Sequence, residues 1–262
     1  MGRLIASLLA AVLLSFPAAA GSRVASLGLC TDELLLLLAP PEQVASVSFL
    51  VADPQESELA GRATGIKTND GSLESALTTN PDLILTGGAV NARASELARR
   101  VGLQVLDLPP PSNLDALRTN IRRLGAALGR KAAADRLIAS MDARLGRERH
   151  ERRPALKIET GGLAAFTEGL TAEMLRHAGL DLVAAPEVRI DRERLLIDPP
   201  PFLIRSRYRE GVTSRPATWR PPEGPWRTLW LDGRRWTCPS PLAALDVARL
   251  RREVANTAIG GD

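Results

Sequence analysis

RVASLGLCTDELLLLL, residues 23–38, decides the fold. Residues 24–27 are a short apolar run behind a polar boundary, and Gly28 breaks it. Thr31 or Asp32 can then cap a helix whose first turn carries Asp32 and Glu33 near its positive end. The stretch therefore spells a strand, a turn and a leucine-rich helix. In open α/β sheets ligands sit in the crevice beyond the strand C-termini, which makes Leu29, Cys30 and Thr31 candidate site residues. Taken alone, the same stretch also fits an ordinary strand-to-helix connection with a buried, inert thiol.

Working outward, QVASVSFL at 43–50 alternates apolar and polar residues and reads as a second strand ending at Phe49. A short helix at 72–77 carries Glu74 in its first turn, Asn80-Pro81-Asp82 stops it, and 83–86 is a third strand. Gly87-Gly88 opens a loop, 92–101 suits a helix, 104–108 a fourth strand, and Pro109–Pro111 closes the unit. Strands alternating with helices imply a mainly parallel sheet covered on both faces, an α/β fold. A capping-box start at Ser112-Asn113-Leu114-Asp115 follows, and the helical pattern is interrupted only at Gly125 to Gly129. Leu137, Met141 and Leu145 recur every four residues. The spacing predicts an amphipathic helix over 130–149, about 30 Å long and able to span two lobes. The charged run 147–153 reads as a solvated boundary.

From Ala155 the pattern begins again, with a strand at 155–158, a loop at Gly161-Gly162, a helix at 171–177 and a strand at 182–185. SLESALTTNPDLIL (72–85) aligns without gaps on DRERLLIDPPPFLI (191–204), placing Glu74 over Glu193 and Pro81 over Pro200. Two similar lobes joined by the middle helix account for this repeat. Residues 205–236 differ in kind: they hold Tyr208 and Trp219, Trp226, Trp230 and Trp236 among arginines and prolines. Arg205, Arg207 and Arg209 there can face an anion or stack on a ring. WTCPSP at 236–241 precedes a closing helix over 242–254.

The 262 residues are 45% hydrophobic, enough for a sizeable core. MGRLIASLLAAVLLSFPAAA at 1–20 has one positive charge, an apolar run, a proline break and a small-residue end, the pattern of a secretory signal rather than a membrane span. A soluble, exported protein is expected. The net charge of +4 is too small to argue for nucleic acid. Two histidines, His150 and His177, cannot build a zinc cluster by themselves. The glycines near Gly28 lack a phosphate-binding fingerprint, and neither a Walker lysine nor a Gly-x-Ser-x-Gly elbow occurs. An enzyme is the minority reading; its best form is a periplasmic thiol-dependent redox enzyme whose Cys30 is activated by a helix N-terminus.

RVASLGLCTDELLLLLAPPEQVASVS, SLESALTTNPDLILTGG, the single connecting helix and the terminal WTCPSP together resemble the periplasmic substrate-binding proteins of iron-siderophore, haem and cobalamin ABC importers. The resemblance covers nearly all of the mature chain and loosens over 186–235. It implies two Rossmann-like lobes, 21–111 and 151–262, joined by one long rigid helix within a connecting segment, 112–150, with a chelate in a shallow cleft and little hinge motion. It implies further that Glu74 and Glu193 dock into arginine pockets of an inner-membrane permease. The exposed carboxylates of the two lobes would form a two-point electrostatic key; each also suits a helix N-terminus without any such role. Matching cleft loops place Leu29, Cys30, Thr31, Phe49, Asn69, Asp70 and Gly88 on the first lobe and Phe166, Thr167, Tyr208, Trp236 and Cys238 on the second. The expected protein is a monomer that carries a ferric siderophore or cobalamin-like corrinoid and needs no cofactor of its own. Haem fits least, because neither histidine maps to a cleft loop and the only tyrosine lies in the divergent segment. Cys30 and Cys238 would face each other from opposite lobes as an interlobe disulfide, as two buried thiols or as a thiol pair against the chelate, with thiols slightly favoured.

Overall fold

In a computed structural model, residues 22–159, 162–185, 189–207, 220–238 and 240–257 are described. The first half runs β1 (Val24–Ser26), α1 (Leu29–Leu38), β2 (Val44–Ser48), α2 (Phe49–Ala52), α3 (Ala60–Ala63), β3 (Thr68–Asn69), α4 (Leu73–Leu77), β4 (Leu83–Thr86), α5 (Ala92–Arg100) and β5 (Gln104–Asp107). Its five strands pair in the order β3-β2-β1-β4-β5, and every pairing is parallel. Side chains alternate between the faces of a strand, so a sheet covered on both sides needs apolar residues at successive positions. In β4, Leu83 and Leu85 enter the main core while Ile84 faces a smaller cluster with Leu73, Ala76 and Ala98 of α4 and α5.

The connecting segment holds two helices, α6 (Leu114–Ala127) and α7 (Lys131–Leu145), the second being the helix read over 130–149. Gly125 does not interrupt α6. A Cβ there would lie 2.5 Å from the Ala134 Cβ of α7, so glycine is what lets the two helices pack closely. The break comes at Gly129, whose φ of +67° turns the chain. The 15 residues of α7 span about 22 Å, shorter than the periodicity predicts. Its buried stripe is Ala134, Ile138, Met141 and Leu145, with Leu137 only partly buried.

The second half runs β6 (Arg153–Glu159), β7 (Leu163–Ala164), α8 (Leu170–His177), β8 (Leu180–Leu182), α9 (Arg192–Ile197), β9 (Phe202–Arg207), β10 (Arg227–Asp232), α10 (Gly233–Thr237) and α11 (Ala243–Thr257). The order is β10-β9-β6-β7; β8 pairs in parallel with the start of β6, and β7 pairs antiparallel with its end. The repeat read from the sequence is structural. Ser72 caps α4 by accepting from the Ser75 N–H at 3.1 Å, and Asp191 caps α9 by accepting from Glu193 N–H at 3.0 Å. Glu74 and Glu193 are each the second residue of their helix, both exposed. One core cluster joins the two sheets through α1, α6, α7, α8 and α11, and a third cluster, including Leu203 and Leu195, covers the outer face of the second sheet. The chain is a mixed α/β protein with two mainly parallel sheets. The leader-like residues 1–20 lie outside the described residues.

Candidate binding cleft

The turn after β1 is built differently from its sequence reading. Gly28 is the α1 N-cap, and no side chain caps it. Thr31 and Asp32 lie inside the helix and are buried. The Thr31 hydroxyl donates to the Gly28 carbonyl at 2.9 Å and lies 2.8 Å from the Ser26 hydroxyl. Asp32 Oδ2 accepts from the N–H and hydroxyl of Ser48 at 3.1 and 2.5 Å, and Glu33 Oε1 accepts from the Ser57 hydroxyl at 2.8 Å. These contacts explain why β2 is buried throughout instead of half-exposed: the polar face of its alternation is turned inward onto partners. Burial raises the Asp32 pKa from 3.8 to about 7 against the pull of the Ser26 and Ser48 hydroxyls and the Ser48 N–H. Burial raises Glu33 from 4.5 to about 7 as well, with Asp32 and Glu58 adding like charge.

The strand ends of both sheets open onto a cleft of about 470 Å³. From the first half come Gly28 to Thr31, Gly87, Val90 and the proline turn 109–111. From the second come Glu159, Ala165, Phe166, Glu168, Thr237, Cys238 and Ser240. Leu117 and Asn120 of α6 and Leu170 of α8 line it between them. Most of this wall is apolar, and Val90 and Phe166 stand 75% and 90% exposed on opposite sides. Two hydrogen bonds hold the rim. The Asn120 amide donates to the Pro109 carbonyl at 2.8 Å, and the Glu173 carboxylate of α8 accepts from the Leu114 N–H at the start of α6 at 2.7 Å. Buried Lys157 is ion-paired to Glu159 at the cleft wall.

Cys30 and Cys238 are joined by a disulfide with Cα atoms 5.1 Å apart, and both line the cleft. This corrects the favoured pair of thiols. It also removes the thiol enzyme's nucleophile, since no free cysteine remains among the described residues. Next to the bridge, Arg235 of α10 donates two hydrogen bonds to the Glu58 carboxylate, at 2.7 and 2.6 Å, and Arg234 donates to the Pro54 carbonyl at 3.2 Å.

Of the other expected positions, Phe166 lines the cleft, Thr167 lies between two lining residues, and Gly88 follows the lining Gly87. Phe49 opens α2 with its ring 56% exposed, away from the cleft lining. Asn69 is buried inside the first sheet, where its amide donates to the Ser26 carbonyl at 3.0 Å and the Ser46 hydroxyl at 2.9 Å. Asp70 accepts from the Ser72 N–H at 2.9 Å in an exposed turn, and the Ser72 hydroxyl and N–H together hold its pKa below the usual carboxylate range. Trp236 is a core residue whose indole N–H donates to Asp246 at 2.9 Å. Tyr208 lies outside the described residues. The expected stacking of Arg205 and Arg207 is present: their guanidinium carbons lie 4.7 and 4.1 Å from the Trp230 ring centre. Burial, Arg220 and Arg207 together lower the Arg205 pKa. The sequence reading missed Val90, Asn120, Glu159 and Glu168. The signal was the proline run after β5, which marks where that wall turns.

A two-sheet α/β chain with a cleft at the strand C-termini of both halves has the architecture of a solute-binding protein. Residues 24–150 match the family model described as periplasmic binding protein, so the first sheet and the helical pair carry that family's sequence pattern. Solved structures extend the likeness through the second sheet. The periplasmic haem-binding protein HutB of Vibrio cholerae is 17% identical at a TM-score of 0.68, covering 89% of this chain and 98% of that one. A periplasmic haem-binding protein of Pseudomonas aeruginosa is 21% identical at 0.66, covering 88% and 91%. The vitamin B12-binding protein BtuF of Vibrio cholerae is 16% identical at 0.63, covering 92% and 98%. At these identities the likeness defines the fold. No curated protein matches the chain by sequence. Among the described residues no helix is long and apolar enough to cross a membrane, and no group of three or more metal-ligating side chains occurs.

Proposed function

We propose that the chain is exported to the periplasm, binds a metal chelate in the interlobe cleft as a monomer and delivers it to an ABC importer. The observation that carries this reading is the convergence of Leu29, Cys30 and Thr31 with Phe166 and Cys238 on one apolar cleft at the strand ends of two mainly parallel sheets. A mostly apolar wall with few polar groups suits a large ligand that keeps its metal inside its own donor set. A ferric siderophore or a cobalamin-like corrinoid meets that description. Neither histidine lines the cleft, and His177 is engaged with the Gly146 carbonyl at 2.9 Å, which keeps haem the weaker candidate. Glu74 and Glu193, at equivalent exposed positions of α4 and α9, are the proposed permease contacts. No catalytic role is assigned.

The test is native mass spectrometry of protein purified from its own periplasm, followed by tryptophan-quenching titrations with ferrichrome, cyanocobalamin and haemin. A retained iron or cobalt complex, with tighter binding of the matching probe than of haemin, is the expected result. Absence of any retained chelate together with no quenching by the three probes would overturn the reading.

A further inference from the structure

The bridge at the cleft wall does more than join two loops. Cys30 is the second residue of α1 and is exposed, whereas Cys238 follows α10 and is buried. The two are 208 residues apart in sequence. α10 is only five residues long and leads from β10 straight to Thr237, Cys238 and Ser240 in the cleft wall. Its ties to the first half include the Cys30 bridge, the Arg235 pair with Glu58 and the Arg234 contact with the Pro54 carbonyl. The covalent tie lies in the cleft itself.

We propose that the Cys30–Cys238 disulfide is a redox-controlled brace that fixes the second-half wall of the cleft, and that an occupant of the cleft and a reducing dithiol compete for access to it. Cys30 is the exposed residue of the bridge, so a reductant approaches from its side. One thiolate of a dithiol attacks Cys30 Sγ, the Cys30–Cys238 bond breaks, and Cys238 leaves as a thiolate that takes up a proton. The second thiol of the dithiol then attacks its own mixed disulfide, releasing Cys30 as a thiolate. Two electrons pass to the protein, and the dithiol ends as a disulfide. With the bridge open, the covalent tie between the wall at Cys238 and the first half is gone while the Arg235 and Arg234 contacts remain, and local opening there becomes easier while the sheets keep their hydrogen bonds. Because Cys30 lines the cleft, a large ligand covers the attacked sulfur. That ligand arm rests on the proposed function; the effect of reduction on the wall does not.

Hydrogen–deuterium exchange is measured on the folded full chain, oxidised and after dithiothreitol, and on the Cys30→Ser/Cys238→Ser variant. Amides at 28–34 and 233–238 are expected to exchange about tenfold faster without the bridge, those of β1 and β9 unchanged. Equal exchange in the two states overturns the brace, as does faster exchange over the whole chain, which would make the bridge a general staple. Resistance of the folded protein to dithiothreitol overturns the assignment of Cys30 as the attacked sulfur. If the double variant does not fold, wild type reduced and alkylated in the folded state makes the same comparison. In the ligand arm, cyanocobalamin or ferrichrome, whichever quenches, is expected to slow reduction. Binding with no slowing overturns the competition while leaving the function standing. No binding by either probe counts against the function and leaves the exchange result to decide the brace.

Discussion

Replacing Asp32 by Asn should stabilise this protein at pH 8 and do little at pH 4. Asp32 is fully buried, and Ser48 occupies one carboxylate oxygen while Oδ1 makes no close hydrogen bond, although the Ser26 hydroxyl also pulls on the carboxylate. Its neighbour Glu33 is buried with Oε2 likewise unpartnered. Burial lifts both groups to about 7 from 3.8 and 4.5. The folded chain therefore holds protons that the unfolded chain has already released between about pH 4 and 7. With folded pKa values raised, the stability these two groups contribute is fully present below the unfolded values and lost as the pH rises through about 7. At about 1.4 kcal/mol per pH unit, Asp32 alone costs about 3 kcal/mol between pH 5 and 8, and Glu33 adds a similar amount. The depressed carboxylates Asp70, Asp107 and Asp232 are ionised in both states throughout that window and do not contribute to the change. Guanidinium unfolding followed by tryptophan fluorescence at pH 5 and 8 measures the difference. Wild type should be less stable at pH 8, and Asp32→Asn should recover about 3 kcal/mol there because a neutral amide of the same shape keeps an acceptor for Ser48. Wild-type stability that rises from pH 5 to 8, or an Asn variant that shifts both midpoints equally, would refute the reasoning.

Gly125→Ala should lower stability by about 1–3 kcal/mol in the same unfolding assay, since the added Cβ meets that of Ala134 at 2.5 Å and the helix pair must separate. Trp236→Phe keeps most of the ring volume but removes one of two hydrogen bonds to Asp246 Oδ2, the other coming from the Asp232 N–H, a loss of about 1 kcal/mol. Phe166→Ala removes an exposed ring from the cleft, so chelate affinity should fall about tenfold by titration while the unfolding midpoint stays put. Glu74→Ala combined with Glu193→Ala should abolish uptake in a transport assay with chelate affinity unchanged; a matching loss of affinity would remove the docking role.

Much of the first half could be read from its sequence because local signals and tertiary demands agree there. The 83–86 run carries core residues on both faces and stops at a glycine pair, so β4 appears where its pattern places it. The alignment of Glu74 with Glu193 and of Pro81 with Pro200 made the internal repeat visible, and the Ser72 and Asp191 caps stand at its first position. What stayed hidden depends on direction and distance. Asn69 and Trp236 are residue types that suit a cleft, yet one satisfies strand backbone and the other fills the core, and residue type does not say which way a side chain points. Gly125 reads as a break because glycine weakens helices, but here close approach of a second helix overrides the propensity. The disulfide joins positions 208 residues apart, so no local pattern could choose it over two thiols.

The five residues Leu29 to Glu33 then carry a physical consequence. Leu29 and Cys30 form cleft wall, Cys30 is covalently tied to the other half, Thr31 closes the turn on Gly28 and Ser26, and Asp32 and Glu33 anchor the helix to Ser48 and Ser57. Each anchor points in a different direction, so this turn is restrained toward β1, toward β2, toward the loop at 57 and across to Cys238. A ligand meeting such a wall does not have to order it, and the ordering cost that flexible sites charge against affinity is already met in the folded chain. The buried acids make that rigidity pH-dependent and the bridge makes it redox-dependent. Two chemically separate controls therefore act on one turn: ionising Asp32 should lower global stability, whereas opening the bridge should loosen the cleft wall while the sheets persist. An Asp32→Asn variant that also changed exchange at 233–238 would show that the two are one device.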